Sequence, residues 1–131
     1  MVIAVFLVED EALIRMMISD MVEDLGHRVA AEAGDIDAAI RLAQSAEFDL
    51  AILDVNLNGK MITPVVEAIE TRNLPFIFAT GYQASDLPEQ FRDRPALQKP
   101  FPRERLAQAI DKALGAAGSV LQTIIPRSRS D

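Results

Sequence analysis

Val2-Ile3-Ala4-Val5-Phe6-Leu7-Val8-Glu9-Asp10-Glu11 opens with an unbroken apolar run and then breaks into three acids. Such a run suits a strand buried on both faces, and strands of that kind belong to parallel sheets covered by helices. The next apolar positions, Ile14, Met17, Ile18, Met21, Val22 and Leu25, step by 3, 1, 3, 1 and 3, one face of a helix. Gly26 sits where that helix stops.

The alternation repeats down the chain. Arg28 to Ala33 reads as a weaker strand near an edge, and Asp35 as the N-cap of a helix bearing Ile36, Ala39, Ile40 and Ala43. Leu50 to Leu53 is a third strand. Asp54 to Lys60 is a loop with an Asn58-Gly59 turn. A helix carrying Ile62, Val65, Val66 and Ile69 leads to a fourth strand, Phe76 to Ala79. Ala96 to Gln98 is a short fifth, and Pro102 opens a last helix with Leu106, Ala109, Ile110 and Ala113 inward. The fourth helix, Ser85 to Asp93, is the weakest: it contains Pro88, has only Leu87 and Phe91 as large anchors, and is expected short, irregular or mobile. Five strand–helix units predict an α/β fold with helices on both faces of a parallel sheet. Gly115 is expected to end the last helix. The domain then spans 1–115, and 116–131 is a flexible tail or an apolar patch (Val120, Leu121, Ile124, Ile125) that packs elsewhere.

With 131 residues the chain has room for one domain. A net charge of −7 and a pI near 4.7 argue against nucleic acid or an anionic membrane as partner. The absence of Cys removes disulfides and thiolate metal sites, and the single His, His27, reads as a surface turn residue. No stretch approaches the ~20 apolar residues of a membrane span, so the cytoplasm is the expected compartment. The charge is lopsided: residues 1–54 hold 12 acids against 3 bases, and the remainder 8 against 10.

Ligands of open α/β sheets bind outside the carboxyl ends of the strands. There the sequence puts Glu9, Asp10 and Glu11 after the first strand, Asp54 after the third, Thr80-Gly81 after the fourth and Lys99-Pro100 after the fifth. Taken singly, these could be an acidic first helical turn, a loop acid, a cap and a rim charge. Gathered at one rim, the carboxylates repel unless a hard cation joins them, and Mg²⁺ takes such oxygen ligands. Asp10 and Asp54 are then candidate ligands, with Glu9 direct or through water. A carboxylate beside Mg²⁺ can attack phosphorus, Lys99 can neutralise phosphoryl charge, and Thr80 can donate to a phosphoryl oxygen.

These residues resemble the receiver domain of two-component response regulators over about residues 1–115: Glu9-Asp10, Asp54 with Leu57 and Gly59, Thr80, and Lys99-Pro100-Phe101. Pro75-Phe76-Ile77-Phe78-Ala79-Thr80-Gly81-Tyr82 resembles the signature of the alphaproteobacterial "FAT GUY" subgroup, usually single-domain proteins. The resemblance implies a flavodoxin-like (βα)5 sheet of order 2-1-3-4-5 and phosphotransfer from a sensor histidine kinase, with the HWE type a candidate, to Asp54. It implies Mg²⁺ held by Asp10, Asp54, the backbone carbonyl of Asn56 and waters. Asn56 and Tyr82 match positions that tune phosphate lifetime. The implied product is a single-domain regulator, not a turnover enzyme, monomeric or weakly dimeric. It would signal by protein contact, phosphorelay or as a phosphate sink. The first helix is the implied kinase-docking face, through Arg15, Met16, Ser19 and neighbours.

Two features depart from the family. Ala96 stands where an aromatic ring is usual, and Gly81 follows Thr80. Tyr82 could supply the ring, with switching by ordering of the segment around it. Arg92, Arg94, Arg103 and Arg105 form a solvated face or an output surface. Two other readings are a phosphorylation-independent interaction module and an aspartyl-phosphate phosphohydrolase. The latter wants an acid where Asn56 stands.

Overall fold

The computed structural model describes residues 2–81 and 87–124, the stretch 116–124 as backbone only. The chain runs β1 (Ala4–Val8), α1 (Ala12–Asp24), β2 (Arg28–Ala33), α2 (Ile36–Ser45), β3 (Leu50–Leu53), β4 (Asn56–Leu57), β5 (Lys60–Met61), α3 (Thr63–Thr71), β6 (Phe76–Thr80), β7 (Ala96–Gln98) and α4 (Arg103–Ile124). Five parallel strands lie in the order β2-β1-β3-β6-β7, the expected flavodoxin-like order once the small β4–β5 hairpin is set aside. The chain moves outward from β1 to β2, then returns to β3 on the other side of β1. The carboxyl ends of β1 and β3 therefore flank the point where the winding reverses.

The apolar runs become the sheet because both faces are covered. Phe6, Val8, Ala51, Leu53 and Phe78 pack against α2 and α3, whereas Val5, Leu7, Leu50, Ile52 and Ile77 pack against α1 and α4. Every residue of β1 is at most 5% exposed. Burying one such Val, Leu or Phe side chain stabilises by about 1.5–3 kcal/mol. β2, by contrast, alternates exposed and half-buried positions, as an edge strand does.

The expected loop at 54–60 contains a hairpin. Asn58 (φ 54°) and Gly59 (φ 84°) both adopt the left-handed backbone that a tight two-residue hairpin demands. The Gly59 N–H also donates to Asn56 Oδ1 at 2.8 Å. The fourth connection contains, among the described residues, a 3₁₀ turn at Glu89–Phe91. Leu87 and Phe91 anchor it, the Phe91 ring lying 4.8 Å from that of Phe78. Tyr82 and the rest of 82–86 lie outside the described residues.

Two expectations need correction. Met17 is 50% exposed, because it stands at the margin of the α1 stripe and the sheet takes Ile18 and Val22. Gly115 does not end the last helix, which continues to Ile124. A helical Gly costs about 1 kcal/mol relative to Ala, too little to stop a helix that reads on into Ala116-Ala117. Residues 125–131 lie outside the description. His27 does stand half-buried in the turn before β2, and there its Nδ1 accepts from the Ile3 N–H at 3.2 Å and tethers the entry to β1.

Asp35 caps α2, its Oδ1 accepting from the Ala38 N–H at 2.8 Å. Asp35→Ala should lower stability by about 1 kcal/mol and Asp35→Asn by much less, read from urea midpoints.

Candidate functional site

Hydrogen bonds between strand ends build the site. The Asp54 N–H donates to the Val8 carbonyl at 3.0 Å, and the Glu9 N–H to the Ala33 carbonyl at 3.1 Å. The sheet ladder thus extends one residue past β1 and β3, and the first residues beyond it are acids. Glu9, Asp10 and Asp54 each bring a carboxylate oxygen within 4.8 Å of the other two. Glu9 is 1% exposed and Asp54 9%, so two of the three charges are largely withdrawn from water.

Lys99 answers them from the far side. Its N–H donates to the Thr80 carbonyl at 2.7 Å, continuing the β6–β7 ladder, and a cis peptide joins it to Pro100. Its Nζ makes an ion pair with Glu9 Oε1 and another, at 3.1 Å, with Asp54 Oδ2. Burial opposes the Lys99 charge, but the hydrogen bond to Glu9 and the charge of Asp54 outweigh it, and the ammonium is held above the ordinary lysine range. Burial pushes Glu9 up against the pull of Lys99. Burial also works against the Asp10 charge, but hydrogen bonds led by the Asn58 N–H outweigh it and hold that carboxyl below the usual range.

An open cleft of about 520 Å³ rises from this cluster, lined by Asp10, Glu11, Asp54, Asn56, Thr80 and Lys99 among others. All six residues assigned to the site from sequence therefore meet at one place: Glu9 sits beneath the cleft and the other five line it. Thr80 is 2% exposed at the end of β6. Asn56 spends its side-chain oxygen on the hairpin. The donors are all oxygen, as a hard divalent cation prefers. His27 lies at the opposite end of β1. Arg94 pairs with Glu70, Arg103 with Asp24, and Arg92 donates to the Leu87 carbonyl.

Comparison with known proteins carries this further. The family model for the response regulator receiver domain matches residues 5–111. The chain belongs to that family. It is 37% identical over 114 residues to the transcriptional regulatory protein PdtaR of Mycobacterium tuberculosis, covering 84% of this chain and 56% of that protein. It thus spans little more than half the length of that curated relative. The solution structure of SdrG from Sphingomonas melonis Fr1 is 41% identical with a TM-score of 0.76, covering 85% of this chain and 95% of that one. The crystal structure of PhyR from Brucella abortus is 29% identical with a TM-score of 0.83, covering 95% of this chain and 53% of that one. These alphaproteobacterial neighbours agree with the FAT GUY resemblance. Among the described residues no helix is long and apolar enough to cross a membrane.

Two residues at this receiver site carry no site signal in the sequence. Arg15 donates to the Glu9 carbonyl at 2.5 Å, and Asn58 donates its N–H to Asp10 Oδ2 at 2.9 Å. Asn58-Gly59 announces only a turn, and Arg15 only a polar helix position that the resemblance puts on the docking face.

Lys99→Met should leave Glu9 and Asp54 facing each other uncompensated and lower stability at neutral pH by about 3 kcal/mol. The gap should hold up to the unfolded lysine pKa of about 10.4 and close as pH rises through the raised value in the fold. It should also narrow in acid, where Glu9, whose pKa is raised, takes up a proton. Urea titrations across pH read both limits.

Proposed function

We propose that this receiver accepts a phosphoryl group on Asp54 from a phosphohistidine of a sensor histidine kinase, in a Mg²⁺-dependent reaction. The observation that carries the reading is the convergence of Glu9, Asp10, Asp54 and Lys99 beside the end of β3, at the floor of an open cleft. An Asp54 carboxylate oxygen attacks phosphorus, the phosphorus–nitrogen bond breaks, and its electron pair stays on the imidazole. Glu9, Asp10, Asp54 and the Asn56 main-chain carbonyl would hold the Mg²⁺, which when bound neutralises charge on the phosphoryl oxygens. Lys99 follows the transferred charge: its ammonium already touches Asp54 and is positioned to pair with a phosphoryl oxygen there. Thr80 donates its hydroxyl to another.

The donor kinase, with the HWE type a candidate, docks on α1. Leu13, Met16 and Met17 are exposed there, beside an apolar groove of about 100 Å³ running from Ile14 to Phe101. Output is by protein contact, by onward phosphorelay or as a phosphate sink. Contact is favoured by the likeness to PhyR of Bartonella quintana, an anti-anti-sigma factor of which this chain covers 52%. The protein acts in the cytoplasm as a monomer or weak dimer, and it is not a turnover enzyme on an external substrate.

Transfer from kinases autophosphorylated with labelled ATP tests the reading. Label should reach the wild type only with Mg²⁺ and never Asp54→Asn. Transfer rates should fall by at least about 10²-fold in Lys99→Ala. Label on Asp54→Asn, or none on the wild type from any kinase of the source organism, would contradict it.

A further inference from the structure

The turn after β2 contributes no acid to the cluster, yet the site's main chain is fastened to it. Glu9 donates its N–H to Ala33 O at 3.1 Å. Arg15 donates through Nη1 to the carbonyl of the same Glu9 at 2.5 Å, and its Nε pairs with Glu32 of β2 at 3.3 Å. Across the turn, Asn58 Nδ2 donates to the Gly34 carbonyl at 3.2 Å, while the Asn58 N–H donates to Asp10 Oδ2 at 2.9 Å. Gly34 makes room for the arrangement. A Cβ there would stand 2.8 Å from Arg15 Nη1, although the Gly34 backbone is not in the left-handed region. A side chain at this position would oblige the guanidinium to shift, while the turn itself makes no demand for glycine.

We propose that Arg15, anchored on Glu32 of β2, and Asn58, anchored on the Gly34 carbonyl that follows that strand, are the positioning residues of the acid cluster. Arg15 fixes the main chain that carries Glu9, and Asn58 fixes the plane of the Asp10 carboxylate. Both acids are thereby held in register with Asp54. The inference rests on the reading of the cluster as a cation and phosphoryl site. It also reassigns Arg15, which is expected from sequence to touch a partner. Its side chain is 24% exposed and its guanidinium is engaged by Glu9 and Glu32, so its work is internal.

The test compares Arg15→Ala, Gly34→Ala, their double variant and Asn58→Gly in the full chain. Asn58→Gly keeps the left-handed backbone and the N–H that Asp10 accepts, and removes only the bond to Gly34. Mg²⁺ affinity is read by calorimetry, hydrogen exchange at the Asn58 amide by NMR, and global stability by urea. Arg15→Ala and Asn58→Gly should each weaken Mg²⁺ binding about tenfold, the usual effect of removing a group that orients a ligand. Exchange at the Asn58 amide should quicken in Asn58→Gly by more than any change in global stability accounts for. Gly34→Ala should weaken binding no more than Arg15→Ala does and add nothing in its background, because its Cβ can act only by shifting the same guanidinium. Mg²⁺ affinities within about twofold of wild type in both single variants, or additive effects of Arg15→Ala and Gly34→Ala, would overturn the proposal. A wild type that binds no Mg²⁺ would overturn the reading of the cluster instead. Exchange at Asn58 then decides the positioning role: faster in Asn58→Gly supports it, and unchanged overturns it.

Discussion

One ammonium stands between two buried carboxylates, and the upper rim of this sheet depends on it. Lys99 reaches from the end of β7 across β6 and touches Glu9 and Asp54, which follow β1 and β3. With Asp10 there are three negative charges and one positive charge in a space a few ångströms wide. Burial raises the cost of every unpaired charge there. A cluster selected for stability alone would contain fewer acids; on the proposed function three are kept because a cation and a phosphoryl group would use them. The net negative charge would attract a divalent ion, and Lys99 offsets part of the repulsion among the acids.

The sheet order makes this meeting possible. β1 and β3 are neighbours although a helix, a strand and a second helix separate them in sequence, and the ladder bond from Asp54 to Val8 aligns their ends. Apolar packing on both faces of β1 keeps those ends from sliding, since a shift of one residue would turn Val5 and Leu7 out of one core and into the other. The precision of the acid cluster is therefore inherited from the core. Local ties to the edge strand add the remainder through Glu9, Arg15 and Asn58.

Much of this is legible in the residues. Unbroken apolar runs name the buried strands, and in a parallel sheet all carboxyl ends share one rim. Glu9, Asp10, Asp54, Thr80 and Lys99 could thus be gathered before any coordinates. The edge character of β2 and the weakness of the fourth helix also follow from composition. Periodicity tells which stripe of a helix is apolar but not how much of it the sheet covers, so Met17 belongs to the apolar stripe of α1 and emerges half exposed. The end of α4 is not marked by Gly115, because a glycine outside the left-handed region is a weak stop signal. Arg15 and Asn58 are invisible to sequence for another reason. Their partners are the main-chain carbonyls of Glu9 and Gly34 and the carboxylates of Glu32 and Asp10, all distant or main-chain groups, and such bonds leave no trace in residue identity.

The central claim is that charge is held at this rim at a cost to the fold, for the sake of a cation and a phosphoryl group. Urea unfolding of wild type and Asp54→Asn, each with chelator and with saturating Mg²⁺, measures that most directly. Without Mg²⁺ the variant should be the more stable by about 1 kcal/mol, since one of three crowded charges is gone and Lys99 still pairs with Glu9. Saturating Mg²⁺ should stabilise the wild type more than the variant and erase the difference. A variant less stable than wild type in chelator, or a wild type whose stability ignores Mg²⁺, would contradict the account.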